Sequence, residues 1–169
     1  MTLASLLLLT KKPKSMKKLI LAFLVFPIFL AAQAEKSAVS DSAWLTDYET
    51  ALKKATKEKK NILAYFTGSD WCPPCKMLKK DLFDTSEFQQ ISNDYVLLYI
   101  DIPMNKDLLS SEQLQHNKTV SAKLNSKGAV PLMKILNADG QELDSYSGYS
   151  MNGEVRYHME LLKKHQSGK

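Results

Sequence analysis

The sequence predicts an α/β fold in which a central sheet of about four strands carries helices on both faces, and three observations point to it. Two short apolar runs, Ile62 to Phe66 and Tyr95 to Ile100, are nearly continuous, as in strands covered on both sides. A hairpin signature, Ala138-Asp139-Gly140, separates the strand-like stretches Leu132 to Leu136 and Gln141 to Tyr146. Amphipathic segments flank these runs, giving the order helix, strand, helix, strand, helical segment, strand, strand, helix.

The first helix is announced by Thr46-Asp47-Tyr48-Glu49, which has the capping-box pattern of a threonine followed three residues later by a glutamate. Tyr48, Ala51, Leu52 and Ala55 then recur at helical spacing, while Lys53, Lys54, Lys57, Lys59 and Lys60 form the wet face. Gly68 ends the first strand. From Pro73 a helix is expected to run to about Leu82, with Met77, Leu78 and Leu82 inward. Asp84-Thr85-Ser86-Glu87 offers a further cap and leads into a short helix through Phe88 and Ile91. Ile102 to Lys127 is polar and loosely helical, with Leu114, Val120 and Leu124 the expected buried positions. Pro131 opens the third strand. After Gly148, Val155, Met159 and Leu162 mark the apolar stripe of a closing helix over Glu154 to Lys164. His116, His158 and His165 show no paired spacing and are expected on the surface or at caps.

Residues 1–34 read as a signal peptide: a basic Lys17-Lys18, an apolar stretch from Leu19 to Leu30, and Ala32-Gln33-Ala34 as a cleavage site before Glu35. The apolar stretch is shorter than the roughly 20 residues a spanning helix needs. Met16 is a possible true start. Taking 34 from 169 residues leaves 135, residues 35–169, enough for one domain with one core. The leader holds five lysines and no acid, so the 23 basic residues of the chain fall to 18 against 18 acidic ones. That balance argues against nucleic acid or stable membrane insertion of the mature chain. Residue 35 is not cysteine, so no lipid anchor is expected there, and the product is expected to be periplasmic or secreted.

The two cysteines, Cys72 and Cys75, stand three apart in Trp71-Cys72-Pro73-Pro74-Cys75-Lys76, where an apolar strand gives way to a helix. That position sets the first sulfur at a helix N-terminus, whose unpaired N–H groups favour thiolate over thiol. Dithiol–disulfide exchange is the chemistry such a pair suits. A structural disulfide is the plainer alternative, but so short a loop constrains the unfolded chain little. Half of a zinc site is another, though four ligands are usual and no third cysteine exists. No cofactor is expected beyond the cysteine pair.

Three pieces in order resemble the thioredoxin superfamily: Phe66 to Lys76, then Gly128-Ala129-Val130-Pro131, then Asn137 to Gly140 with Ser147-Gly148-Tyr149. The likeness is greatest to exported proteins related to the thiol-reducing domain of disulfide interchange proteins. The resemblance implies a thioredoxin-like fold with a mixed sheet. It implies that Cys72 is the exposed nucleophile, Cys75 the buried resolving thiol, and Val130-Pro131 a cis-proline element. Trp71 would shield the pair and contact substrate, with Pro73 and Pro74 shaping the loop. Disulfide-containing proteins are the implied substrates and a membrane-embedded electron donor the implied partner. Two departures stand out. The buried acid that many relatives carry before the active site is missing at Ala64, Tyr65 and Phe66, which leaves the proton acceptor for Cys75 open among water, Lys76 and Asp70. The link from Asp101 to Pro131 is also longer than in compact thioredoxins.

Pro73 and Pro74 have no backbone N–H, so fewer donors face the Cys72 thiolate than with other dipeptides. The disulfide is therefore expected to lie nearer about −270 mV than about −120 mV. A reductase of protein disulfides is the leading expectation. An oxidase or isomerase, and a redox-sensing binding or chaperone module without turnover, are the alternatives.

Overall fold

The computed structural model describes residues 43–166, and the signal-peptide reading of residues 1–34 lies outside them. The elements in chain order are α1 (Tyr48–Glu58), β1 (Asn61–Thr67), α2 (Pro73–Leu78), α3 (Ser86–Ser92), β2 (Tyr95–Asp101), α4 (Ser111–Leu124), β3 (Leu132–Leu136), β4 (Glu142–Ser147) and α5 (Arg156–Lys164). They build one four-stranded mixed sheet in the order β2-β1-β3-β4. β1 runs parallel to β2 and antiparallel to β3, and β3 pairs antiparallel with β4. Among the described residues no helix is long and apolar enough to cross a membrane.

The continuous apolar character of β1 follows from its place in the middle of the sheet. Successive side chains point to opposite faces. Leu63 and Tyr65 join Leu78, Leu82, Phe88 and Leu162 on the side of α2, α3 and α5. Ile62, Ala64 and Phe66 instead meet Tyr48, Ala51, Ala55 and Val120 on the side of α1 and α4. Both faces are therefore covered, as a two-sided apolar strand requires.

Local departures from the sequence reading have physical causes. The cap of α1 is Asp47 rather than Thr46: its carboxylate accepts the Thr50 N–H at 2.7 Å, and an ionised oxygen suits the positive end of a helix. α2 stops at Leu78 and continues as a π turn over Lys79–Phe83, which brings Leu82 and Phe83 into the core side by side. In α4 the buried residues are Asn117 and Val120, with Leu114 and Leu124 only half-buried. Asn117 is inward because its side-chain amide donates to the Asp101 carbonyl at 2.8 Å. His158 is buried on α5, not superficial. It sits edge-on to Tyr146 and Tyr149 and donates from Nε2 to the Gly148 carbonyl at 3.1 Å.

Ahead of α1, Leu45 forms a parallel bridge with Leu98 on the outer side of β2. Its N–H reaches the Leu97 carbonyl at 2.9 Å and its carbonyl accepts the Tyr99 N–H at 2.8 Å. The neighbouring Trp44 ring stacks near Phe88 and meets Phe83 edge-on, which anchors this segment.

Candidate active site around the cysteine pair

β1 delivers the chain to Gly68 at one end of the sheet, and a tight turn reverses it. The N–H groups of Trp71 and Cys72 both donate to the Gly68 carbonyl, at 3.3 and 2.9 Å. Cys72 is the N-cap of α2, and its sulfur accepts the Cys75 N–H at 3.2 Å. That donor comes only at the third position because Pro73 and Pro74 have none to give. Cys72 and Cys75 are joined as a disulfide, with an S–S distance of 2.05 Å and Cα atoms 5.3 Å apart.

Cys72 is only 3 % exposed and Cys75 2 %, so the expected contrast between an exposed and a buried sulfur is absent in the disulfide form. Burial of Cys72 follows from its neighbours and its capping role, since a cap sulfur turns toward the helix rather than away from it. Trp71 is the open member, 39 % exposed. Its indole lies directly over Gly68, where an added Cβ would fall 2.2 Å from the ring, and its Nε1–H donates to the Ile102 carbonyl at 2.9 Å. Pro73 is exposed and Pro74 half-buried.

The Val130-Pro131 peptide bond is cis, as the resemblance implied. Leu132, the next residue, pairs with Phe66 near the end of β1, which places the cis bond at the same end of the sheet as the cysteine turn. The Pro131 carbonyl accepts the Gly148 N–H at 2.8 Å, tying this corner to β4.

Sequence reasoning missed Asp101. No acid occupies Ala64, Tyr65 or Phe66, but the neighbouring strand ends in a buried aspartate whose carboxylate accepts the Ser69 N–H at 2.9 Å and the Ser69 hydroxyl at 2.5 Å. Its signal was an acid closing the apolar run Tyr95 to Ile100. Asp70, by contrast, is only half-buried and holds the long link: its carboxylate accepts the Asn105 and Met104 N–H groups at 2.8 and 3.0 Å. Those two backbone donors, that of Asn105 foremost, keep its carboxyl below the usual carboxylate range. Lys76 donates to the Asp70 carbonyl at 2.9 Å, so its ammonium is turned toward the loop.

Behind the pair lies a cavity of about 300 Å³ lined by Cys75 and by Trp44, Tyr65, Thr67, Ser69 and Lys76 among others. Tyr65 reaches the Cys75 carbonyl with its hydroxyl at 3.3 Å, and burial pushes its phenol up to about 12, so it is a neutral donor at ordinary pH.

A disulfide-bonded cysteine pair at the start of a helix, at the same end of a mixed sheet as a cis proline, defines a thiol-disulfide oxidoreductase of thioredoxin architecture. The chain belongs to the thioredoxin-like family, whose family model matches residues 43–138. It is 28 % identical over 126 residues to the disulfide bond reductase DsbH of Chlamydia pneumoniae, covering 74 % of each chain. It is also 28 % identical over 133 residues to the thioredoxin-related protein DsbJ of the same organism, where the match takes in 76 % of this chain but 38 % of that longer relative. Among solved structures, a DsbH oxidoreductase superposes with a TM-score of 0.60 at 26 % identity, over 71 % of this chain and 81 % of that one. Oxidised thioredoxin O2 of Arabidopsis thaliana shares the fold with a TM-score of 0.52 at 20 % identity, over 74 % of this chain and 94 % of that one.

Proposed function

We propose that the protein is an exported reductase of protein disulfides, with Cys72 as nucleophile and Cys75 as resolving thiol. The Cys72 thiolate attacks one sulfur of a substrate disulfide, forming a mixed disulfide as the other substrate sulfur leaves and takes up a proton. Cys75, deprotonated, then attacks the Cys72 sulfur, the second substrate thiol is released, and the Cys72–Cys75 disulfide remains. Two electrons have passed to the substrate. A membrane-embedded dithiol donor outside this chain returns them.

The observation that carries the reducing direction is the single backbone N–H, that of Cys75, directed at the Cys72 sulfur. A thiolate with few donors is poorly stabilised, which raises the energy of the dithiol form and makes it the better reductant. The likeness to a relative named as a disulfide bond reductase agrees with this direction. The cavity beside Cys75 supplies room for water, which serves as acceptor for the Cys75 proton where β1 has no acid. Trp71, Pro73, Pro74, Val130 and Pro131 frame the surface across which the substrate chain lies.

The test is equilibration with glutathione together with the two serine variants. The disulfide should equilibrate nearer about −270 mV than about −120 mV. Cys72→Ser should abolish dithiothreitol-driven insulin reduction, and Cys75→Ser should accumulate mixed disulfides. A potential near the oxidising end, or full activity in both variants, would overturn the proposal.

A further inference from the structure

The most exposed large apolar side chains cluster in part beside the cysteine turn, on the long link after β2. Met104 is 72 % exposed and Leu108 52 %, in a segment whose backbone is fastened rather than loose. The Ile102 carbonyl takes the Trp71 indole N–H, and the Asp70 carboxylate takes the Met104 and Asn105 N–H groups. Asn105 in turn caps the short 3₁₀ turn that carries Leu108, accepting the Asp107 N–H at 3.0 Å. Asp70 and Trp71, the two residues that precede Cys72 in the turn, thus hold the segment that displays Met104 and Leu108. The fastening presents two neighbouring apolar side chains in a fixed place, and their exposed area is free energy still to be gained when a partner covers them.

We propose that Met104 and Leu108, continuous with Trp71, form a docking lip for apolar residues flanking the cysteine of a protein substrate. The occupant follows from the exchange chemistry: a polypeptide whose disulfide reaches Cys72 must pass over Trp71 and onto the adjoining surface. Methionine suits a surface that accepts many sequences, because its unbranched thioether adapts to different partners. Fastening by Asp70 orders the lip before the substrate arrives, so less freedom is lost on binding. Small disulfides make no use of the lip because they have no flanking chain.

This inference rests on the reductase reading, and the two are separated by comparing substrates. In dithiothreitol-driven turnover of the full chain, Met104→Ser combined with Leu108→Ser should lower kcat/KM for insulin about tenfold, as partial loss of two buried apolar contacts implies. Turnover of bis(2-hydroxyethyl) disulfide should be unchanged. Met104→Leu combined with unaltered Leu108 should keep insulin turnover, since apolar area is retained, and Asp70→Ala should reproduce the selective loss by freeing the segment. Unchanged insulin turnover in the double serine variant, or an equal fall for both substrates, overturns the lip. So does a concentration-dependent dimer in sedimentation that the double variant abolishes, because the patch would then serve a second copy. Failure of the unaltered chain to turn over the small disulfide would instead sink the reductase reading itself.

Discussion

Gly68→Ala tests how the active-site turn is held. A Cβ at residue 68 would lie 2.2, 2.4 and 2.6 Å from Trp71 Cε2, Nε1 and Cζ2, distances no side chain tolerates. The indole is too rigid to bend aside, so it must swing off the turn and release its hydrogen bond to Ile102. Loss of that bond costs about 0.5–1.5 kcal/mol. Uncovering on the order of 50 Å² of apolar surface beneath the ring adds about 1 kcal/mol. Alanine also restricts the unfolded chain, which returns about 0.4–1 kcal/mol because the native backbone at residue 68 needs no left-handed φ. The net loss is about 1 kcal/mol, or a fall in Tm of roughly 3–5 °C for a domain of this size. Thermal unfolding of Gly68→Ala should show it. The decisive arm is the same substitution in a Trp71→Ala background, where the clash is gone and only the unfolded-state effect remains, so the change becomes neutral or stabilising. A cost that persists without the indole would refute the reasoning.

Other outcomes follow from the same contacts. Asp101→Ala should destabilise by about 1–3 kcal/mol in chemical denaturation, because it leaves the half-buried Ser69 N–H and hydroxyl without their acceptor. Asp47→Ala should cost about 1 kcal/mol and Thr46→Ala far less in the same assay, since only the aspartate side chain caps α1. Burial holds the His158 imidazolium below its ordinary 6.5, so the folded state resists protonation that the unfolded state accepts. Its contribution is therefore complete above about pH 6.5 and declines as pH falls from there toward the lower folded value. Melting scans between pH 7.5 and 5.5 should show that decline, and His158→Gln should flatten it.

The elements that sequence revealed were those whose signals are local. β1 announced itself through unbroken apolar residues, β3 and β4 through the Ala138-Asp139-Gly140 turn, and the cysteine pair through its spacing and its prolines. What stayed hidden depended on partners distant in the chain. Asp101 looks like a strand-ending acid until folding brings Ser69 to it, and Asn117 looks solvent-facing until the Asp101 carbonyl meets its amide. His158 is polar in any hydropathy count, yet two tyrosine rings and the Gly148 carbonyl make a buried place for it. The burial of Cys72 was similarly concealed, because capping of α2 turns its sulfur inward. The π turn after α2 has no composition of its own, and follows from packing Leu82 and Phe83 together.

The bridge between Leu45 and Leu98 also sets how deeply the chain can be trimmed from its front. A cut ahead of Ala43 leaves Trp44 and Leu45 in place. A cut three residues further in would remove the tryptophan from the ring cluster of Phe83 and Phe88 and take Leu45 from the outer side of β2. The bared carbonyl of Leu97 and N–H of Tyr99 would then offer strand pairing to a neighbouring molecule. Three residues, Ala43 to Leu45, thus separate a covered edge of the sheet from an open one.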